Sequence, residues 1–414
     1  MFRRIAQKYL YEWAQKEERK PLVLRGARQV GKTTLNLEEK EDAELFAADS
    51  SFDDLLVGIF FKANIPIDSS RTLIFIDEIQ NEPKAVQALR YFYEKRPDLY
   101  VIAAGSLLES LMGRHISFPV GRVEYMALHP CTFANQIEKI AVPQSLHGYT
   151  LDLFKKYMII GGLPEVVANY AQYRDMVRLD GVFNALLSGY RDDVEKYADK
   201  PKQQDSIRYI LNYGWTSAGH RIQFAKFTNS SFKSPDVSNA FRTLEKTLLL
   251  ELVYPLTSTS FPILPDLKKS PKLLWFDTGL VNYVTGMQEE LLFTPNSDEL
   301  WNGDIAEHIV AQELLGATTL FGEKRMFWVR DARNSQAEVD FVIRHKSHLL
   351  PIEVKTGSKS KLRSLHQYME ESNENIALRL WNGPMTSDII TRTDGRPFTL
   401  YNIPLYYAGH LNAL

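Results

Sequence analysis

The chain has 414 residues, 44% of them hydrophobic and 24% charged, with a formal net charge of −2. This composition excludes a disordered or fibrous chain and predicts two or three globular domains; no apolar stretch reaches membrane-spanning length, and the near-neutral charge confines any nucleic-acid contact to a local patch. One cysteine, Cys131, excludes an internal disulfide and a cysteine-based zinc site, and Met1-Phe2-Arg3-Arg4-Ile5 lacks the apolar core of a secretory signal, so a cytoplasmic protein is expected.

Ile5, Tyr9, Leu10 and Trp13 fall on one side of an amphipathic helix within residues 3–19. Pro21-Leu22-Val23-Leu24 reads as a buried strand at 21–24, and it feeds Gly26-Ala27-Arg28-Gln29-Val30-Gly31-Lys32-Thr33-Thr34. That stretch fits G-x-x-x-x-G-K-[ST], the loop that wraps the phosphates of a nucleoside triphosphate. Its glycines let backbone N–H groups turn inward as an anion nest, and the helix that follows adds its positive dipole end. Lys32 can reach the β- and γ-phosphate oxygens, and the Thr33 hydroxyl can ligate Mg²⁺. ATP with Mg²⁺ is therefore the expected ligand.

A second buried-strand pattern, at 72–77, ends in two acids. Asp77 is expected to hold Mg²⁺ and Glu78 to orient or deprotonate the attacking water. A helix near 83–95 and a strand at 100–104 continue the alternation, which implies a parallel sheet with the triphosphate at its carboxyl edge. Ser106, at the end of that strand, is a candidate γ-phosphate sensor, with a plain strand-end turn as the alternative. Arg122 is a candidate source of charge for the leaving phosphate, in cis or from a neighbouring subunit. Composition leaves the oligomeric state open.

From about 150 to 255 the texture is mostly helical. Ser238 to Lys246 reads either as the recognition helix of a helix-turn-helix module or as a packing helix. A Pro-rich segment, Pro255 to Pro271, then leads into a second α/β region with strands at 338–344 and 348–354. These strands carry Asp340, twelve intervening residues, then Glu353-Val354-Lys355. Paired antiparallel, they would bring Asp340 and Glu353 together at one end, where two carboxylates can hold a hard divalent ion. Lys355 shares a strand face with Glu353 and could offset charge on a scissile phosphate. Glu307, on an upstream helix, is an additional candidate metal acid. Lys359, Lys361 and Arg363 suit either a phosphate backbone or a solvated loop.

Taken together, these segments resemble the bacterial and archaeal AAA-type ATP-binding proteins that join an N-terminal P-loop ATPase to a C-terminal domain of unknown function. That second domain is similar to PD-(D/E)XK restriction-endonuclease-like folds. The resemblance is carried by Gly26 to Thr34, Phe75 to Gln80, Ala103 to Glu109, Gly161 to Glu165, Tyr190 to Tyr197, Phe276 to Leu280, Ala337 to Phe341 and Pro351 to Gly357. It implies an α/β multidomain chain: a P-loop ATPase domain at 1–135, a helical lid and winged-helix-like region at 136–260, and a nuclease-like domain at 261–414. The function implied is Mg²⁺-dependent ATP hydrolysis, coupled to a domain that engages DNA or another nucleic acid. The alternative is an ATP-switched binding module whose nuclease-like domain is an inactive scaffold for nucleic acid or protein partners. One departure stands out. Thr33-Thr34-Leu35 runs straight into Asn36-Leu37-Glu38-Glu39, whereas the family has a helix and a strand between these segments; three residues cannot make both. The stretch from Phe133 to Pro143 is similarly short.

Overall fold

The computed structural model describes residues 4–32, 51–67, 72–105, 119, 121–133, 142–198, 200–288, 303–331, 337–357 and 361–413. The chain forms two compact units, one of Met1–His129 with Thr319–Gly322, the other of Pro130–Thr318 with Glu323–Leu414. The abbreviated stretch after Lys32 and the residues from 134 to 141 lie outside the described residues.

In the first unit four parallel strands, β1 (Leu22–Arg25), β2 (Leu73–Ile76), β3 (Tyr100–Gly105) and β4 (Glu124–Ala127), form a sheet ordered β2-β3-β1-β4. The inner strands are apolar throughout, as a parallel sheet covered on both faces requires; Val23, Leu24, Ala103 and Ala104 are fully buried. The expected helix at 83–95 is present as Pro83–Lys95, with proline in its first turn and the Glu82 side chain accepting from Lys84 N–H at 3.1 Å. Its Ala85, Val86, Ala88, Leu89 and Phe92 fall at helical spacing and pack with Phe52, Leu56 and Val101. Burying a side chain such as Phe92 contributes roughly 1.5–3 kcal/mol. The N-terminal helix is shorter than 3–19, covering Ile5–Ala14, and Trp13 anchors its end by donating to the Lys20 carbonyl at 2.8 Å.

The second unit opens with helices His147–Ile160, Pro164–Tyr173, Leu179–Asp192, Val194–Tyr197, Pro201–Tyr213 and Ser234–Lys246. Strands β5 (Leu250–Val253) and β7 (Lys272–Trp275) then pair antiparallel, with Val253 opposite Lys272. Arg221 bridges to Lys272 as well. Between them, β6 (Pro255–Leu256) runs parallel to β8 (Phe327–Val329), which pairs antiparallel with β9 (Glu338–Val339). The remaining strands are β10 (Phe341–His345), β11 (His348–Lys355), β12 (Ile376–Trp381), β13 (Thr386–Thr391) and β14 (Pro397–Pro404). They form a sheet ordered β10-β11-β12-β14-β13, parallel in its centre and antiparallel at both edges.

One expectation is corrected here. The strand expected at 338–344 is interrupted: Asp340 is a bend, with β9 in the β8 ladder and β10 in the β11 ladder. One hydrophobic core includes residues from both sides of position 260. Phe154, Tyr157 and Met158 of the helical region pack with Ile309, Leu378 and Tyr406.

A buried polar network reinforces that union and explains two motifs. The Asp277 carboxylate accepts from Gly162 N–H at 2.7 Å and Leu280 N–H at 3.0 Å. Gly279 must be glycine, since an added Cβ would lie 2.1 Å from the Ile160 carbonyl oxygen. From the helix Gly303–Gly316, Gln312 accepts from Thr278 N–H at 2.7 Å, and His308 Nε2 accepts from Trp275 N–H at 3.0 Å. The His308 proton is therefore on Nδ1, facing Thr278 Oγ1 at 2.8 Å. Burial depresses the His308 pKa to about 3. Burial also raises that of Asp277 to about 6, against the pull of its backbone donors.

Candidate functional site

The phosphate-loop residues leave β1 at the carboxyl edge of the parallel sheet. Gly26 passes so close to Leu128 that a Cβ would sit 2.4 Å from its carbonyl oxygen. Gln29 and Gly31 take left-handed φ values of +66° and +86° around Val30, the kind of alternation that turns backbone N–H groups inward. A left-handed glutamine costs on the order of 1 kcal/mol, the sort of strain found at ligand loops. Ala27 and Val30 are buried, and Arg28 and Gln29 are exposed.

Lys32 is buried, and its Nζ donates to the carbonyls of Gly26 at 3.1 Å and Ala27 at 2.9 Å. Burial lowers its pKa, while the charges of Glu78 and Asp77 act the other way. The ammonium thus rests on neutral oxygens where phosphate oxygens would compensate it better. Arg4, which the sequence reading did not single out, clamps the loop: its guanidinium donates to the Val30 carbonyl at 2.6 Å and to the His129 carbonyl. No local pattern signals Arg4, because its partners lie up to 125 positions away.

Asp77 and Glu78 follow β2, and the common direction of β1, β2 and β3 places them at the same edge as the loop. Asp77 accepts from Glu78 N–H at 2.9 Å. Glu78 has a left-handed φ of +47°, which leaves its carboxylate exposed and bonded to the Gln80 amide. An inward-turned loop, a buried ammonium held by neutral carbonyls and exposed acids beside it make a donor set that fits a magnesium triphosphate. Thr33, Thr34 and Ser106 lie outside the described residues.

Arg122 does not lie beside the loop of its own chain. It precedes β4, whose Glu124 pairs with Leu22 at the start of β1, so it lies at the sheet edge opposite the loop. There its Nε donates to Glu94 at 2.6 Å. Within one chain a strand of four residues, roughly 13 Å, separates it from the phosphates.

The C-terminal residues do converge. Phe341 pairs with Ile352, so Asp340 and Glu353 are adjacent across β10 and β11. The Asp340 carboxylate accepts from Val354 N–H at 2.7 Å, filling the ladder position given up at the bend. Lys355 Nζ lies 2.8 Å from Glu353 Oε1. Glu307 also joins the cluster, but through a residue that was not anticipated. Lys272, 2% exposed, forms ion pairs with Glu307 and with Glu338, the latter at 2.9 Å. Arg221 reaches the other Glu338 oxygen at 3.7 Å.

Burial raises the pKa of Glu353 to about 7, helped by the Asp340 charge, and burial likewise raises those of Glu307 and Asp340. Burial alone would depress Lys272, but Glu307, Glu338 and Asp340 outweigh it and hold the ammonium above its ordinary range. Among the described residues, no group of three or more His, Cys, Asp or Glu side chains is placed to share a metal ion. Lys361 and Arg363 are exposed, and Lys359 lies outside the described residues. Also among the described residues, no helix is long and apolar enough to cross a membrane.

Residues 18–136 match the family model described as an AAA domain. Residues 151–291 and 302–394 match two domains of unknown function, DUF8612 and DUF4143. No curated protein matches the chain. Among solved structures, the Walker-type ATPase PABY2304 of Pyrococcus abyssi is similar at 15% identity and a TM-score of 0.41, over 69% of this chain and 96% of that one. Protein VC1899 from Vibrio cholerae aligns at 10% identity and a TM-score of 0.20, over 95% of this chain and 96% of that one. The sequence match at 18–136, together with the parallel sheet and the phosphate loop at its edge, makes the N-terminal region an AAA-type P-loop domain.

Proposed function

We propose that the chain is a Mg²⁺-dependent ATPase coupled to a nuclease-like C-terminal domain that engages nucleic acid. The observation that carries the ATPase reading is the buried Lys32 ammonium, bonded to two neutral carbonyls within a left-handed loop. On nucleotide binding, Lys32 exchanges those carbonyls for β- and γ-phosphate oxygens, Asp77 holds Mg²⁺, and Glu78 orients the attacking water. Bound Mg²⁺ supplies neutralisation of phosphate charge. Steady-state ATP hydrolysis by Lys32→Ala tests the site; turnover equal to that of the parent chain would refute it.

The nuclease-like reading is supported by the helix Gly303–Gly316, the antiparallel β10–β11 pair and the parallel β12 reached through the helix Arg363–Glu371. A winged-helix-like reading of residues 201–275 is supported by its order of helix, bridge, helix and hairpin. Asn239, Arg242 and Lys246, on the helix Ser234–Lys246, are exposed at spacings of three and four, and these residue types suit base edges and phosphates. Fluorescence anisotropy with duplex DNA across a salt series tests engagement; no binding at low salt sinks it.

A second reading, in which ATP switches a binding module whose nuclease-like domain is an inactive scaffold for nucleic acid or protein partners, is favoured by one observation: Lys272 lodged against Glu307 and Glu338. Mn²⁺-dependent DNA cleavage, with Asp340→Ala as control, separates the two readings.

A further inference from the structure

We infer that Lys272 is the resident cation of the C-terminal acid cluster, covalently filling the place that a divalent ion would take among Glu307, Asp340 and Glu353. The inference rests on the inactive-scaffold reading and gives it a cause. Lys272 does not reach this position as a flexible surface lysine. Its backbone is paired with Val253 on one strand and bridged to Arg221. Its ammonium lies 4.6 Å from the Phe327 ring and 5.9 Å from the Phe341 ring, so aromatic faces contribute to its seat as well as Glu307 and Glu338. Withdrawing its side chain would strip two carboxylates of their partner.

Each carboxylate of the cluster also has one oxygen already engaged. Lys272 takes Oε1 of Glu307 and Oε1 of Glu338, Val354 N–H takes Oδ2 of Asp340, and Lys355 takes Oε1 of Glu353. The carboxylate oxygen left buried and unpartnered is Glu353 Oε2. The cluster thus offers at most one unshared oxygen from each of Glu307, Asp340 and Glu353 to a hard divalent ion, which takes about six oxygen ligands. An ion placed there would also face the ammonium groups of Lys272 and Lys355, and like charges at such range repel strongly. Metal-assisted phosphodiester hydrolysis at this cluster is thereby closed, and the domain is left to bind without cutting.

The test uses the full chain without nucleotide, probed with Mn²⁺ alone by electron paramagnetic resonance and by thermal shift. At about 1 mM Mn²⁺ the parent chain should show no bound ion that Glu353→Gln removes, and no rise in Tm. Lys272→Met should gain roughly tenfold or more in Mn²⁺ affinity, with a matching rise in Tm, and should lose both on addition of Glu353→Gln. Should Lys272→Met fail to fold, Lys272→Met/Glu338→Gln, which removes one opposite charge and keeps Glu307, Asp340 and Glu353, carries the same comparison. A sub-millimolar Mn²⁺ site in the parent chain that Glu353→Gln abolishes would overturn the assignment, as would a folded lysine-free variant with no gain. Duplex anisotropy in EDTA is read separately: failure to bind DNA there sinks nucleic-acid engagement and leaves the Lys272 result standing.

Discussion

Each unit of this molecule buries a lysine beside acidic residues, and the two lysines are poised in opposite ways. Lys32 donates to backbone carbonyls, and burial depresses its pKa; Lys272 is surrounded by carboxylates that overcome burial and raise its pKa. A buried charge is costly until something compensates it. At Lys32 the compensation has to arrive with a ligand, so the loop gains from an anion. At Lys272 the compensation is built into the fold, so the cluster gains little from a further cation. On the proposed reading the same side chain serves as a receptor in one unit and as a structural counter-ion in the other.

The strongest test of that contrast is stability. Lys272→Ala strips Glu307 and Glu338 of their buried partner and should destabilise the second unit by about 3–5 kcal/mol. Lys32→Ala removes an uncompensated buried charge and should leave the first unit unchanged or slightly more stable. Denaturant unfolding of both variants measures the difference, and two losses of equal size would remove the distinction. In activity the order reverses. Lys32→Ala should lower ATP turnover by about 10²–10³-fold, and Lys272→Ala should leave turnover in any folded fraction unaltered. Glu78→Gln should lower turnover by at least about 10²-fold while ATP binding, followed with a fluorescent analogue, persists.

The two sites also differ in how much of them the sequence discloses. The phosphate loop is contiguous, and its supporting strands are short apolar runs, so Lys32, Asp77 and Glu78 could be placed at one sheet edge without coordinates. Asp340, Glu353 and Lys355 were legible for the same reason: a hairpin joins them. Lys272 was not, because its partners lie 35 or more residues downstream and a lysine opening an apolar strand ordinarily reads as an edge residue. The bend at Asp340 was hidden because apolar residues continue on both sides of it while the strand changes partners. The Pro-rich segment reads as a break in the helical texture, yet β6 within it pairs with β8, and its Leu256 packs with Trp328 and Val342.

A smaller effect is expected from pH, through the network that unites the second unit. His308, with a folded pKa of about 3 against an unfolded value of about 6.5, binds fewer protons when folded. Its stabilising contribution is complete above about pH 6.5 and drains away as pH falls toward 3. Asp277 has the opposite sign. Its folded pKa of about 6 lies above an unfolded value of about 3.9, so acidification through that window favours the fold. Between pH 7 and 5, His308 should cost roughly 2 kcal/mol and Asp277 return roughly 1 kcal/mol. His308→Gln, which keeps an acceptor for Trp275 N–H, should therefore change in stability more favourably than the parent chain over this interval, by roughly 2 kcal/mol. Titrating groups common to both cancel in the difference, and parallel pH profiles would exclude His308 as the source.

The smallest expected effect concerns Arg122. Its place before β4 and its bond to Glu94 set it at the edge of the sheet remote from Lys32. Both partners are substantially exposed, and pairs of that kind contribute little to stability. Arg122→Ala should accordingly change the turnover of an isolated chain by less than about twofold, against the 10³-fold or greater loss typical when a transition-state arginine is removed. Measuring turnover against protein concentration makes the test sharper. If Arg122 acted on the nucleotide of a neighbouring copy, parent activity per chain would rise with concentration and the variant would not follow it. If it serves only as a partner for Glu94, the two curves will be flat and nearly superimposed, and catalytic charge at the phosphates will rest on Lys32 and the bound Mg²⁺.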